Sequence, residues 1–425
     1  MRKPFPNADE IRLDHIDFTR IVQPGDTVMW SQGTGEPTLL LRKLMEQRHA
    51  IGPFSIFLGG SYTDTIRPEH GDIVSMSGLG AVGTNRALCD AGLMKVIPCH
   101  LSALPHYLAT GVVKIDVLLM QFGPEDVQGR PSPGAVNAYA QYALPQCRVA
   151  IAEINAAAPR TRGVDMDLGG FTSYVRTETP VIELPAAKPS AIDLAVARKV
   201  ADFVDDGDIV QVGIGTIPNA LLAMLGDRRR LGYHAGISGD ALVPLMESGA
   251  VDNSTKTAYR GISVTGALAG TARLYDFAAD NAALLLAPVA YTHAHETLRA
   301  FANLMSVNSA VEVDLLGQAN SEMAGCRYVG TVGGQLDFVR GALASEGGRS
   351  IICLPSRTPK GQPRIVPAIR SGVVTLPGSD ADYVVTEHGV AQLRGQPLAE
   401  RMKRMIAIAH PDDREGLERH VREAY

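Results

Sequence analysis

The sequence is poor in cysteine and aromatic residues, and it has no long apolar run. Its five cysteines are scattered, and no pair has the two-residue spacing of a zinc site, so we expect reduced, mostly buried thiols. The net charge of −5 comes without a basic stripe, which argues against a nucleic-acid partner. No stretch reaches the length of a membrane span, and the N-terminus lacks the apolar core of a signal peptide. The composition therefore predicts a cytoplasmic protein.

Glycine, proline and aliphatic residues are plentiful instead. The 425 residues include 43 Gly and 26 Pro, 45% are hydrophobic and 20% are charged, which suits an α/β protein with many tight turns. A chain of this length is expected to form two or three domains. Apolar runs that end in polar residues indicate mostly parallel sheets covered on both faces. These runs are VIPCHLSALPHYL, KIDVLLMQFGPEDVQG, RVAIAEIN, ALLLAPVAYTH, AVEVDLLG, SIICLP and ADYVVTEHG.

One strand–loop–helix pattern occurs twice. The stretch VQPGDTVMWSQGTGEPTLLLRKL (residues 22–44) aligns without gaps with VDDGDIVQVGIGTIPNALLAML, and a Gly-Asp, a Gly-Thr and a Leu-Leu pair coincide. Before the second copy, prolines break regular structure and Ser190 can cap a helix. We therefore predict two related open α/β domains with mostly parallel sheets, residues 1–185 and 186–425.

The second copy contains a candidate binding loop. In QVGIGTIPNALLAML a strand is predicted to end at Val212, and Gly213, Ile214 and Gly215 then turn into a helix whose first turn contains Pro218. Backbone N–H groups at such a helix start favour an anion or an oxyanion. A purely structural turn explains the same pattern.

A second glycine-rich loop lies in RYVGTVGGQLDFVRGA (residues 327–342). Gly330, Gly333 and Gly334 precede a segment predicted to be helical. Glycines at these positions allow a ligand to approach the backbone closely, while an ordinary turn accounts for one or two of them.

Acidic and histidine residues follow several predicted strands. In NSAVEVDLLGQANSE, Glu312 and Asp314 share one strand face, either as acid–base groups or as a solvated surface. In VVTEHGVAQLRG, Glu387 and His388 directly follow a buried strand, where α/β sheets place catalytic groups. His293 in AYTHAHETL has no accompanying motif that supplies the remaining ligands of a metal, so we predict no metal site.

Together these stretches resemble the acetyl-CoA hydrolase/transferase family, which is class I CoA-transferase-like and similar to the 4-hydroxybutyrate, butyrate, acetate and itaconate CoA-transferases. The resemblance covers nearly the whole chain. It is carried by FGPEDVQGRPSPG, AEINAAAPRTRG, GIGTIPNALL, NSAVEVDLLGQANSE, GTVGGQLDFVRGA, RIVPAI and VVTEHGVAQLRGQPLAERMKRMIAIAHPDDRE, of which the last is long and very specific. The fold that it implies agrees with the two predicted α/β domains.

The resemblance implies a ping-pong reaction. A glutamate attacks an acyl-CoA thioester and carries CoA as a glutamyl thioester until a second carboxylic acid takes it. Such a carboxylate must be desolvated and held in attack geometry. By position, the backbone N–H groups of the two glycine loops would bind the oxyanion. Glu387 matches a second active-site glutamate, and His293 falls where many members have an asparagine.

The nucleophile of the family is absent from the matching stretch. Transferring members have a stretch that resembles His-Thr-Glu-x-x-Ser-Asp-Gly, whereas this chain has HAGISGDA at residues 234–241. His234 and Asp240 keep their places, and Gly236 occupies the place of the glutamate.

Three alternatives follow. In the first, CoA is transferred from a short acyl-CoA to a small carboxylic acid with another carboxylate, for which Glu387 and Glu312 are the candidates. In the second, water hydrolyses the thioester. In the third, the chain binds acyl-CoA and either does other hydrolytic chemistry on a CoA ester or only senses acyl-CoA as a binding module. Lys360, Arg364 and Arg340 are expected to meet the CoA phosphates, with a solvated surface role as the alternative for each. CoA is expected to be a substrate, with no permanently bound cofactor, and the resemblance implies a homo-oligomer.

Overall fold

The structure is a computed structural model that describes residues 3–424. Its strands are β1 Asp9–Glu10, β2 Thr27–Trp30, β3 Phe54–Leu58, β4 Val74–Gly78, β5 Met94–Val96, β6 Val117–Glu125, β7 Pro131–Ser132, β8 Val149–Asn155, β9 Arg162–Gly163, β10 Ser173–Thr177, β11 Ile209–Val212, β12 Gly232–Tyr233, β13 Ser263–Thr265, β14 Leu284–Leu286, β15 Leu304–Ser309, β16 Glu312–Asp314, β17 Ala319–Asn320, β18 Met323–Ala324, β19 Arg327–Tyr328, β20 Arg349–Cys353, β21 Ile365–Val366, β22 Tyr383–Thr386 and β23 Gly389–Gln392. Its α-helices are α1 Phe18–Ile21, α2 Thr38–Ile51, α3 Asn85–Asp90, α4 Leu104–Thr110, α5 Ala191–Ala201, α6 Thr216–Ala223, α7 Leu242–Glu247, α8 Ala272–Ala278, α9 Val289–Thr292, α10 His295–Arg299, α11 Gln335–Ala344, α12 Leu398–Ile408 and α13 Pro411–Ala424.

The chain divides into two compact units. Unit 1 comprises residues 1–184, 264–292 and 328–333, and unit 2 comprises residues 185–263, 293–327 and 334–425. Each unit is therefore built from more than one stretch of chain. The division into continuous domains at residues 185 and 186 stays a prediction.

Unit 1 is built on a large sheet with the strand order β1-β10-β8-β6-β2-β3-β4-β5, and β7 pairs with β6 at the side. Every pair along that order is parallel. Alternate residues of β6 enter two different apolar clusters, Val117 and Leu119 in one and Leu118 and Met120 in the other. The sheet is thus covered on both faces, as its continuous apolar strands predict.

Unit 2 is built on the sheet β12-β11-β15-β20-β22-β23, in which only the last pair is antiparallel. Helix α11 packs on this sheet through Phe338 and Val339, which belong to two apolar clusters. The predicted mixed α/β fold with mostly parallel sheets is therefore confirmed. A smaller sheet of unit 2 has the order β17-β16-β21.

The repeated pattern forms the predicted strands β2 and β11, but the following helices differ. Helix α6 begins at Thr216, directly after its loop, whereas residues 33–35 form a short 3₁₀ turn and α2 begins only at Thr38. Ser190 caps α5 as predicted, because its Oγ accepts the Asp193 N–H and the Asp193 carboxylate accepts the Ser190 N–H.

One predicted strand is wrong over nearly all of its length. In VIPCHLSALPHYL only Val96 lies in a strand, at the end of β5, while Leu101–Ala103 form a 3₁₀ turn and residues from Leu104 onward form α4. Leu104 and Leu108 are both buried, and their spacing of four residues is the helical period that the apolar composition concealed. None of the five cysteines forms a disulfide bond, and two of them, Cys99 and Cys353, are buried. Within residues 3–424, none of the helices combines the length and apolarity that a membrane crossing requires.

Candidate active site

The first glycine loop of unit 2 connects β11 to α6 as predicted. The N–H of Gly213 donates to the carbonyl of Val307 at 2.9 Å, so it belongs to the sheet. Gly215 is the N-cap residue of α6 and has φ 139°, a conformation that favours glycine. Ile214 is 54% exposed. The N–H groups of Ile214 and Gly215 are therefore the candidate oxyanion donors of this loop, and that of Gly213 is not.

A buried polar network lies beneath this loop, and the sequence reasoning did not identify it. The Oε1 of Gln211 accepts from Ser306 Oγ at 2.8 Å and from Asn308 Nδ2 at 3.1 Å. A Cβ atom at Gly213 would lie 3.1 Å from Asn308 Oδ1. The sequence signal for this network is the pair of polar residues, Ser306 and Asn308, two positions apart in the otherwise apolar strand LMSVNS.

The stretch from residue 234 to 241 connects β12 to α7. His234 is fully buried, and its ring lies 5.0 Å from that of Phe301. Asp240 is half-buried, and its carbonyl accepts the N–H of Val243 at the start of α7. Ser238 Oγ in this connection donates a hydrogen bond of 3.1 Å to Tyr233 Oη at the end of β12.

Gly236 contacts His293, a residue that the sequence placed in a separate motif. A Cβ atom at Gly236 would lie 2.7 Å from Cε1 and 2.9 Å from Nε2 of His293. A Cβ atom at Gly334 would collide with Nε2 and Cδ2 of the same ring. The ring of Phe338 packs at 4.6 Å between centroids. The imidazole thus lies against two glycines and one aromatic ring, which we call the His293 cluster.

The imidazole of this cluster is uncharged at neutral pH. His293 is 3% exposed. Burial lowers the pKa of His293 to about 3, because desolvation disfavours the imidazolium.

The second glycine loop is divided between the two units. Residues 328–333 belong to unit 1. There the carbonyls of Gly330 and Gly333 accept N–H groups from Ala81 at 2.9 Å and Leu101 at 3.1 Å. Gly334 belongs to unit 2, where it is the N-cap residue of α11.

Glu387 directly follows β22 as predicted, and its carboxylate is held by one residue. The N–H of Ser356 donates to Oε2 at 2.8 Å, and the hydroxyl of Ser356 donates to Oε1 at 2.6 Å. The Nε2 of His388 lies 3.5 Å from Oε1, and the Glu387 side chain is 14% exposed. Ser356 is buried and was not identified from the sequence. This Glu387–Ser356 pair presents a fixed, partly desolvated carboxylate.

The two carboxylates of β16 have different surroundings. Glu312 Oε1 accepts from Asn320 Nδ2 at 3.0 Å, across the pairing with β17. Asp314 is buried and accepts the N–H groups of Leu316 and Gln318, so it shapes the turn. Asp314 therefore has a structural role, whereas Glu312 is half-buried at the strand start.

The three predicted CoA-binding cations also differ. Lys360 is exposed. Arg340 pairs with Asp380 at 3.0 Å. Arg364 is half-buried, its Nη1 lies 3.5 Å from the Ala310 carbonyl, and burial lowers its pKa.

Unit 1 holds a buried carboxyl group directly after the glycine loop of the first repeat. Glu36 directly follows the QGTG loop and accepts a hydrogen bond from Thr63 Oγ1 at 2.7 Å. Burial raises the pKa of Glu36 to about 7.

In residues 3–424, no three His, Cys, Asp or Glu side chains are grouped so that they could hold a metal ion.

Known proteins resemble this chain over most of its length. The model of the acetyl-CoA hydrolase/transferase C-terminal domain matches residues 270–421. The 4-hydroxybutyrate coenzyme A transferase of Clostridium kluyveri is 34% identical over 398 residues, 92% of each chain. The succinyl-CoA:cyclohexane-1-carboxylate CoA transferase of Geobacter metallireducens is 32% identical over 408 residues, 94% of this chain and 92% of the relative.

A solved structure and a relative matched over about half of this chain are also similar to it. The crystal structure of RipA from Yersinia pestis has a TM-score of 0.87 and 31% identity, and the match covers 95% of both chains. The acetyl-CoA hydrolase of Kluyveromyces lactis is 30% identical over 244 residues, which is 54% of this chain and 45% of that protein. The chain therefore belongs to the acetyl-CoA hydrolase/transferase family and is an enzyme of the CoA-transferase or acetyl-CoA hydrolase kind.

Proposed function

We propose that this enzyme transfers CoA from a short acyl-CoA to a small carboxylic acid, with Glu387 as its reactive carboxylate. The observation that supports this role is the pair of hydrogen bonds from Ser356, which fixes both oxygens of a carboxylate that is only 14% exposed. A fixed, partly desolvated carboxylate is what attack on a thioester requires.

In the proposed reaction one Glu387 oxygen attacks the acyl-CoA carbonyl, and the CoA thiolate leaves as an acyl–enzyme anhydride forms. The thiolate then attacks the glutamyl carbonyl, which releases the donor acid and leaves CoA as a glutamyl thioester. The acceptor acid takes CoA by the same two steps in reverse. The N–H groups of Ile214 and Gly215 are the proposed oxyanion donors in unit 2.

Other predicted site residues stay proposals. The oxyanion role of Gly330, Gly333 and Gly334 stays a prediction from the sequence. Of the three cations, Lys360 is the preferred ligand of the CoA phosphates because its side chain is exposed. Arg340 already pairs with Asp380, and Arg364 is half-buried. Glu312 is the alternative carboxylate.

Hydrolysis of the thioester by water is the second candidate function. The observation that favours it is that Gly236 offers no side chain that could act as a nucleophile. The replacement of the family glutamate by Gly236 stays a prediction from the sequence, as do the cytoplasmic location, the homo-oligomer and the absence of a permanently bound cofactor.

The experiment that tests the proposal supplies acetyl-, succinyl- or butyryl-CoA with and without an acceptor acid. Mass spectrometry measures the new acyl-CoA, and a thiol reagent measures free CoA. Acceptor-dependent formation of a new thioester supports transfer. Thiol release that ignores the acceptor, without any new thioester, would show that the chain is a hydrolase instead.

A further inference from the structure

The His293 cluster is a built arrangement rather than a chance contact. The same ring edge of His293 lies against Gly236 and against Gly334, and a Cβ atom at either glycine would come within 3.0 Å of it. Residues 236, 293 and 334 come from three separate segments of unit 2. Only glycine at both positions lets the imidazole lie where it does.

The location of this ring suits chemistry on an acyl group. Gly334 is the N-cap residue of α11, a helix of ten residues, so Nε2 lies beside the positive end of a helix dipole. Such an end favours a developing negative oxygen. Gly236 and Gly334 are both partly exposed and carry no side chain, while the ring of His293 itself is 3% exposed.

We propose that His293 accepts a proton from water in a thioester hydrolysis that the enzyme carries out beside CoA transfer. The inference rests on the proposed function, because it takes an acyl-CoA as the substrate. It assigns this second reaction to a group other than Glu387.

The chemistry follows from the protons that each nucleophile carries. A carboxylic acid acceptor is already a carboxylate at neutral pH and needs no base, whereas water must lose a proton as it attacks. The water oxygen bonds to the thioester carbonyl carbon while one proton moves to His293. The tetrahedral oxyanion then expels the CoA thiolate, which takes that proton back from the imidazolium. The products are the free acid and CoA thiol, and the imidazole is regenerated.

The uncharged state of the ring supports this role. Burial lowers the pKa of His293 to about 3, so the imidazole is in its neutral, basic form at neutral pH. A negative oxyanion close to the ring would raise that pKa again, since an opposite charge favours the imidazolium. The ring is therefore a weak base at rest that strengthens as the oxyanion forms.

The test separates the two reactions in His293→Asn, with His295→Asn as the matched control. His295 is exposed and lies two residues along the same segment. We expect His293→Asn to lose acceptor-independent thiol release by roughly 10²-fold or more, the scale of a general base. His295→Asn should keep wild-type rates, and melting temperatures report whether each variant is folded.

Chemical rescue distinguishes a base from a space-filling ring. In His293→Ala, added imidazole should restore thiol release, whereas 1,2,4-triazole, a ring of the same size and a far weaker base, should not. Equal rescue by both rings would overturn the proposal, because the ring would then only fill space. Unchanged hydrolysis in His293→Asn, or no acceptor-independent thiol release by the wild type, would overturn it as well.

The same samples keep the two proposals apart. If the wild type forms no new thioester with any acceptor but releases thiol through His293, transfer fails and the inference stands. If transfer occurs and the triazole rescues as well as imidazole, the proposed function stands and the inference fails.

Discussion

The two candidate reactive groups of unit 2 are held in opposite ways. The Glu387 carboxylate is held by hydrogen bonds, because both of its oxygens accept from Ser356. The His293 imidazole packs against two glycines and the ring of Phe338. Hydrogen-bond donors satisfy the oxygens of a partly buried carboxylate, whereas burial keeps an imidazole neutral. Unit 2 thus holds the proposed nucleophile and the proposed proton acceptor through separate contacts, so each can be removed without the other.

The largest effect is expected from Glu387→Gln. This change removes the proposed nucleophile but keeps the shape of the side chain, so transfer should fall by roughly 10⁴-fold or more. Thiol release without an acceptor should stay within about threefold of wild type if His293 serves water. Both rates are measured on the same protein sample by mass spectrometry and a thiol reagent. Full transfer activity in this variant would place the reactive carboxylate elsewhere, with Glu312 as the next candidate.

Gly236→Glu tests whether the His293 ring occupies the space beside Gly236. A side chain at this position begins 2.7 Å from Cε1 of His293, so the single variant should lose about 1–3 kcal/mol of unfolding free energy through overpacking. Combining it with His293→Asn removes part of the ring and should recover most of that loss.

The double variant should also form a glutamyl–CoA adduct at residue 236. Borohydride reduction followed by peptide mass spectrometry locates such an adduct. A single Gly236→Glu variant that is as stable as wild type would show that His293 does not occupy the space as described.

The pH dependence of stability tests whether His293 is neutral. Burial lowers its pKa to about 3 in the folded state, whereas the unfolded chain titrates near the ordinary value of 6.5. Between these values the unfolded chain binds the extra proton, so unfolding free energy falls as the pH decreases below 6.5, by up to about 1.4 kcal/mol per pH unit. Between pH 7 and pH 5, His293→Asn should therefore lose roughly 2 kcal/mol less than wild type in urea unfolding. Equal losses in both proteins would mean that the imidazole is already solvated.

Ser356→Ala gives the smallest of these effects. The change removes the hydroxyl donor to Glu387 Oε1 and keeps the backbone donor to Oε2. Loss of one hydrogen bond to a charged group should lower transfer roughly tenfold and leave hydrolysis unchanged. Steady-state rates of both reactions measure this, and a fall of equal size in both would point to a general loss of structure.

Local patterns predicted most of the framework. Apolar runs with polar ends gave β6, β8, β20 and β22, and the glycine loop before α6 was placed correctly because Gly215 and Pro218 carry local conformational signals. The strand predicted over VIPCHLSALPHYL failed in the part that forms α4, since a short apolar run does not distinguish a strand from a helix.

The contacts of the candidate site required tertiary structure. Residues 236, 293 and 334 lie in separate segments, and each alone resembles an ordinary loop position. Ser356 and Glu387 are 31 residues apart, on the connections that follow two neighbouring strands. The sequence therefore identified Glu387 and His293 as candidates but could not show that one is held by a serine and the other by two glycines.

The most direct test of the account measures the ratio of thiol release to new thioester in one reaction mixture of acyl-CoA and acceptor acid. Wild type, Glu387→Gln and His293→Asn are compared at equal protein concentration. We expect this ratio to rise in Glu387→Gln and to fall in His293→Asn, because each variant loses only one of the two reactions. A ratio that stays at the wild-type value in both variants would contradict it, since both reactions would then depend on the same group.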